Sequence, residues 1–304
     1  MRSLKAALLS MLAAASLLTG CSDSKVDTDI VVDTGDITVD TDMDAYTGNN
    51  GREYKTNQFT MMDFVFDIDK NVSEFGVNID TGNITVQYSR DNKMGLSLEY
   101  NVHADTEEIC NEVKSHLNAM TETRGSRLDL RLVEDKTQED IFSWLSKNIP
   151  DCSVDCDLFI TVPESVSSFD VNENVGNLKF NEINGKFTCN VGVGHITCTD
   201  LQITKASEFK CGTGNIEMSS CTYTADTDIS TDTGNITFCL PLNGSDGADI
   251  SVRTQTGNIK MTGIKNYDVK SEKQKNTSHS LSIEVENCDI DFATNTGKII
   301  IDKE

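Results

Sequence analysis

Thr213-Gly214-Asn215-Ile216, Thr233-Gly234-Asn235-Ile236 and Thr256-Gly257-Asn258-Ile259 are copies of one phrase, and their spacing decides the fold. Looser copies stand around them: Thr34-Gly35-Asp36-Ile37, Thr81-Gly82-Asn83-Ile84, Val175-Gly176-Asn177-Leu178, Val193-Gly194-His195-Ile196 and Thr296-Gly297-Lys298-Ile299. From Gly176 to Gly257 the glycines lie 18, 20, 20 and 23 residues apart, and the next gap, 40, spans two periods. A fixed period near 20 residues marks a repeat architecture.

Aligning the copies on the glycine exposes a candidate core. Five residues before it stand Val77, Val171, Cys189, Phe209, Ile229, Val252 and Phe292. Seven before stand Phe75, Phe169, Phe187, Ile250 and Ile290; four after stand Val86, Phe180, Cys198, Met218, Phe238, Met261 and Ile301. Apolar positions two apart on each flank are strands with one buried face. Ile183, Leu201, Cys221 and Ile264, seven past the glycine, predict a further inward position beyond a bend. At the turn itself, Gly permits positive φ and Asn tolerates the left-handed region.

An antiparallel β-sandwich of hairpins is the competing fold, because strand–turn–strand fits it too. A hairpin meander, however, has no reason to repeat the same side chains at a fixed interval. Stacked coils do, each laying its Ile on the Ile below and its Asn beside the Asn below. The expected fold is therefore an all-β-dominated β-solenoid (β-helix) of about 20-residue rungs with a small inserted α+β segment.

The insert is placed at residues 96–163, where the period breaks. Leu96, Leu98, Tyr100 and Val102 alternate as a strand. An Asp105/Glu108 capping box opens a helix through Ile109, Val113, Leu117 and Met120, with Gly125 past its end. Leu128, Leu130 and Leu132 form another strand, 138–148 a second helix, and Leu158–Pro163 the strand leading back into repeats. The remaining expected boundaries are 1–20 for a signal peptide, 21–55 for an acidic tether, 56–95 for the first repeat strands and 164–304 for the repeat domain. Within the tether, Ile30, Val32, Ile37 and Val39 have the pattern of one weak rung.

The N-terminus has Arg2 and Lys5 followed by the apolar run Ala6 to Leu18, the layout of a secretory signal and too short for a permanent membrane span. It ends in Leu18-Thr19-Gly20-Cys21, which resembles a bacterial lipobox. That implies cleavage before Cys21 and a diacylglyceryl anchor of palmitate-type chains on its sulfur, holding the protein to the membrane from outside the cytoplasm.

The formal charge is −23, and loss of Arg2 and Lys5 with the signal makes it more negative. Such a chain repels nucleic acid, which is excluded as a partner. Of ten cysteines, Cys21 goes to the lipid, leaving an odd number that cannot all pair within one molecule. Cys189, Cys198 and Cys221 take inward positions; with Cys211 they are expected either as buried thiols or as a disulfide stacked between rungs, for instance Cys189 with Cys211. On an extended strand Cys152 and Cys156 are too far apart to bridge.

No catalytic or metal-ligating set emerges. His103, His116, His195 and His279 are scattered and are expected at surfaces or turns. Asp40-Thr41-Asp42-Met43-Asp44 begins like a calcium loop, but Ala45 stands where Gly is needed. No cofactor is expected, calcium at that stretch being the one alternative. Asp80 and Asp232 precede Gly turns, but Asn174, Gly192, Gly212, Gln255 and Asn295 take the equivalent places, so no acidic cluster builds in that column. Turn-capping accounts for both.

Over residues 60–304 the layout resembles a bacterial family of adhesin-like β-strand-repeat domains of unknown function. Its members run strand, Gly-Asn/Asp-Ile turn, strand, often after a helix-bearing segment and a strand ending in Pro, as Leu158 to Pro163 does here. The resemblance implies a cell-envelope surface module, adhesive or envelope-sensing, and brings no catalytic residues. The cysteines and His195 depart from the family pattern. Envelope polysaccharide or another surface protein is the expected partner, and a β-helical polysaccharide-active enzyme the alternative function.

Overall fold

A computed structural model describes residues 46–47, 53–90, 93–239, 248–264, 267–285 and 288–303. Cys21, the signal, the calcium-like stretch and nearly all of the tether lie outside them. Short strands β1 (Tyr46–Thr47) and β2 (Glu53–Tyr54) pair antiparallel and precede β3 (Thr56–Phe66), β4 (Glu74–Tyr88) and β5 (Met94–Ala104). Helix α1 (Glu107–His116) leads to β6 (Leu117–Arg124), β7 (Arg127–Glu134), helix α2 (Ile141–Asn148) and β8 (Cys152–Val162). The repeats hold β9 (Ser168–Asn181), β10 (Asn184–Thr199), β11 (Gln202–Ile203), β12 (Ser207–Thr213), β13 (Ile216–Ser219), β14 (Thr222–Tyr223), β15 (Thr227–Thr233) and β16 (Ile236–Cys239). They end with β17 (Asp249–Thr256), β18 (Ile259–Ile264), β19 (Asp268–Lys275), β20 (Ser278–Val285), β21 (Cys288–Thr296) and β22 (Ile299–Lys303).

The protein is all-β, built on one large open sheet system. Successive repeats pair in parallel and in register. Before the turn, Phe75 lies beside Phe169 and Phe169 beside Phe187; further along, Phe209, Ile229, Val252 and Phe292 follow one another. After the turn, Ile196, Ile216, Ile236, Ile259 and Ile299 form a second column. Beyond a second bend, Ile203 of β11 meets Tyr223 of β14 in a third. These columns are the buried core, with the rings of Phe169 and Phe187 stacked at 5.4 Å.

Each turn glycine among the described residues is required twice over. Gly234 has φ +152, and a Cβ there would sit 1.8 Å from the carbonyl oxygen of Gly214 one repeat earlier. The asparagines serve differently from expectation. None of the turn asparagines has positive φ; the left-handed residues sit instead at the second bend, at Glu182, Asp200 and Ser220. The turn asparagine side chains form a ladder. Asn83 Oδ1 accepts from the Asn177 N–H (3.1 Å), and Asn177 Oδ1 from the His195 N–H (3.1 Å). His195 Nδ1 accepts from the Asn215 N–H (3.0 Å), and Asn215, Asn235 and Asn258 each accept from the next copy at 2.9 Å. His195 therefore stands in for an asparagine acceptor. The ladder ends at Lys298, whose side chain can only donate.

The insert continues both halves of β4. Its first half pairs with β7, and its second with β8, which continues through β5 to β3. The first helix departs from expectation at both ends. Its N-cap is Thr106, whose hydroxyl accepts from the Ile109 N–H, and it stops at His116. Leu117 and Met120 belong to β6, because Gly125, at φ +64, opens a two-residue hairpin loop with Ser126 that pairs β6 with β7. The second helix ends at Asn148 as expected but starts later, at Ile141, because Gln138 has φ +57 and Asp140 caps it on the Ser143 N–H (2.9 Å). No described helix is long and apolar enough to cross a membrane.

Candidate functional site

The β6–β7 hairpin creates a groove on the outer face. In β7, Leu128, Leu130 and Leu132 turn inward, so Arg127, Asp129 and Arg131 turn outward. Between β7 and β9 runs the first half of β4, where Gly76 has no side chain. A Cβ at Gly76 would lie 2.3 Å from both Arg127 Nη2 and Asp129 Oδ1, so glycine there lets the ion pair fold over the strand. Arg127 donates through Nε to Asp129 (2.7 Å) and through Nη1 to Asp170 of β9 (2.9 Å), clamping three strands. Asp170 also accepts from Asn172 (3.1 Å). The hydrogen bond to Asp129 first, and Asp170 after it, raise the Arg127 pKa above its ordinary value.

Arg124 lies at the rim, paired through two nitrogens with Glu122 at 2.9 and 2.7 Å, and that pairing lowers the Glu122 pKa. Together with Asn78, Asn172 and Arg131 these residues line a cavity of about 340 Å³. Three guanidiniums meet here on a chain of charge −23, among amides and carboxylates with planar, two-pronged hydrogen-bonding geometry. Sequence reading missed the groove because its residues come from strands nearly a hundred positions apart, and only the alternation of Arg127, Asp129 and Arg131 pointed outward.

A second depression, about 290 Å³, is lined by Asp226, Asp228, Asp249, Asp289 and Asp291. This acidic convergence was not foreseen, because it builds in columns farther from the glycine than those of Asp80 and Asp232. Arg253 pairs with Asp228 (2.6 Å) and Lys270 with Asp289 (2.5 Å). Among the described residues no group of three or more His, Cys, Asp or Glu is placed to hold a metal ion. Asp80 and Asp232 do not cap their own turns: they accept from Asn174 (2.9 Å) and Gln255 (2.6 Å) of the next copy.

Cys189, Cys198, Cys211 and Cys221 are buried and free. Cys189 faces Val171 and Phe209, whereas Cys211 lies in another column, between Val191 and Thr231. Cys211 donates to the Gly194 carbonyl at 3.3 Å. Burial pushes all four thiols up, Cys221 to about 11, which suppresses thiolate chemistry. Cys152 and Cys156 are also free, on the extended β8. Two of the four histidines differ from expectation. His103 and His279 are buried, within hydrogen-bonding distance of Asp155 (3.2 Å) and Glu272 (2.9 Å); His279 falls on an inward strand position, whereas His103 is buried although it alternates with the inward Val102 and Ala104.

No family model matches the chain, and no curated protein does. Among solved structures it is similar to a "putative adhesin" from Bacteroides fragilis, at 15% identity and TM-score 0.42, covering 80% of this chain and 97% of that one. It is also similar to a "putative cell adhesion protein" from Clostridium sporogenes, at 8% identity and TM-score 0.32, covering 81% and 100%. A "putative adhesin" from Parabacteroides merdae follows at 10% identity and TM-score 0.25, covering 80% and 96%.

Proposed function

We propose that this chain is a non-enzymatic, adhesin-like surface module of the bacterial envelope: a β-solenoid, lipid-anchored through Cys21, that holds an extended hydroxyl-rich polymer. The parallel, in-register pairing of copy on copy supports the solenoid. The groove supports the polymer. Asn78, Asn172 and Asn190 form one outward column running from it along β4, β9 and β10, so a chain lying across the strands meets repeated amides beside Arg127, Asp129 and Asp170. Amides, carboxylates and guanidiniums bind vicinal hydroxyls in pairs. The test is a pull-down of the full-length protein, and of its Arg127→Ala/Asp129→Ala variant, against envelope polysaccharides and other envelope fractions. Binding to polysaccharide that the double variant loses supports the reading; binding to none of the fractions removes it.

The second reading, a β-helical polysaccharide-active enzyme, is favoured by one observation, the five aspartates about the second depression. It requires new reducing ends to appear from an envelope polysaccharide, and their loss in Asp228→Asn/Asp291→Asn. Absence of cleavage by the native chain sinks it.

A further inference from the structure

One inward column contains an acid. Three residues before the turn glycine the copies carry Ile79, Glu173, Val191, Cys211, Thr231, Thr254 and Thr294. The three threonine hydroxyls each donate to the carbonyl of the glycine one copy earlier: Thr231 to Gly214 (3.0 Å), Thr254 to Gly234 (3.0 Å) and Thr294 to Gly257 (3.1 Å). Cys211 does the same toward Gly194. From Cys211 onward the column is thus one of donors aimed at carbonyls, while Ile79 and Val191 are apolar.

Glu173 has the same place relative to Gly82. It is 3% exposed, and neither carboxyl oxygen has a conventional hydrogen-bond partner. A Cβ added at Gly176 would lie 1.4 Å from Gly82 O and 1.9 Å from Glu173 Oε1, so these two oxygens are no farther apart than those distances together. Two acceptors in contact repel unless a proton lies between them. We propose that Glu173 is held as the neutral acid, donating its proton to the Gly82 carbonyl, and that its ionisation is a pH-operated release of the seam between β4 and β9.

The surroundings favour the neutral form. On β8, Asp157 lies nearby, next to the buried Cys156, and Asp157 is itself opposite Glu99 of β5. On β4, Ile79 is the facing residue, while Asp80 points outward to Asn174. From β10 comes Val191. Arg127 is engaged with Asp129 and Asp170 on the outer face, and Arg131 also turns outward. Burial first, then repulsion from Asp157, raise the Glu173 carboxyl from 4.5 to about 8. On ionisation the O–H bond breaks, the proton goes to solvent, and a charge is left facing a carbonyl. The seam joins the first repeat strand, which carries the insert, to all later copies.

The sign follows from the raised folded value. Stability is full below the unfolded carboxyl's pKa and falls as pH rises toward about 8, levelling above it. Carbon-13 NMR of glutamate carboxyls in the full-length chain, assigned by difference from Glu173→Gln, reads the site directly. The expected midpoint is near 8. Between these limits the native folding constant should drop about tenfold per pH unit relative to Glu173→Gln, whose amide donates without titrating. At pH above 8 the β9 amides should exchange at least about tenfold faster than in the variant, one proton's worth of seam stability being about that per unit. Glu173→Thr, which copies Thr231, serves if the Gln variant fails to fold. A carboxyl midpoint near 4.5, or equal pH dependence in native and variant chains, overturns the proposal.

Discussion

Gly234 shows why one residue type recurs at the turn. Alanine there would meet both a disfavoured φ and the Gly214 carbonyl at 1.8 Å, and backbone on backbone cannot yield as a flexible side chain can. Gly234→Ala should cost about 2–4 kcal/mol, read by urea denaturation. The glycine and the inward aliphatics were legible in sequence because their chemistry is the same in every copy. The donor column was not: Thr231, Thr254 and Thr294 are polar and read as outward, although their hydroxyls are satisfied by carbonyls inside. Glu173 was hidden for the same reason, as were the buried His103 and His279, polar residues whose carboxylate partners Asp155 and Glu272 stand on other strands.

At the scale of elements, the stack must end without leaving open backbone groups. Within it, Gly257 N–H donates to Thr296 O and Ile259 N–H to Lys298 O of the following copy. At the last copy, Gly297 N–H donates to Thr277 O (3.1 Å) and Ile299 N–H to His279 Nδ1 (3.2 Å), so the β19–β20 turn stands in for the missing repeat. The strand beyond, β19, is fully exposed and carries Asp268, Lys270, Glu272, Lys273 and Lys275, a charged edge that resists pairing. His279→Ala should cost about 1–3 kcal/mol and speed hydrogen exchange selectively in β22. In the insert, Glu134 accepts from His116 (2.7 Å), from the Thr137 hydroxyl and from the N–H groups of Lys136 and Thr137. These bonds, led by His116, hold its pKa down to about 2. Its contribution is present above the ordinary value, 4.5, and is lost as pH falls toward 2; Glu134→Gln should flatten that acid limb of an unfolding profile. The β6 strand was misread as helix because Leu117 and Met120 continue the spacing of Ile109 and Val113. The hairpin loop at Gly125, a tertiary pairing signal, overrides that local period.

For the whole molecule, the period alone allowed either stacked coils or a sandwich of hairpins. Aligning Gly82 with Gly176 already set Phe75 against Phe169 across the insert; what sequence could not supply was that β7 and β8 of the insert pair with the two halves of β4. The outward residues Lys179, Thr197, Glu217, Thr237 and Lys260 follow one another in a single column, each in register with the next. Neighbouring strands lie about 4.8 Å apart, so a stack spaces this column evenly. The most direct test is pulsed electron spin resonance distance measurement on genetically encoded spin labels, which spare the native thiols. Labels at Lys179 and Lys260 should give a backbone separation of about 19 Å, and moving the first label to Thr85 should add about one strand spacing more. A separation that fails to grow by that step, or one far from it at the first pair, would contradict parallel stacking of the repeats.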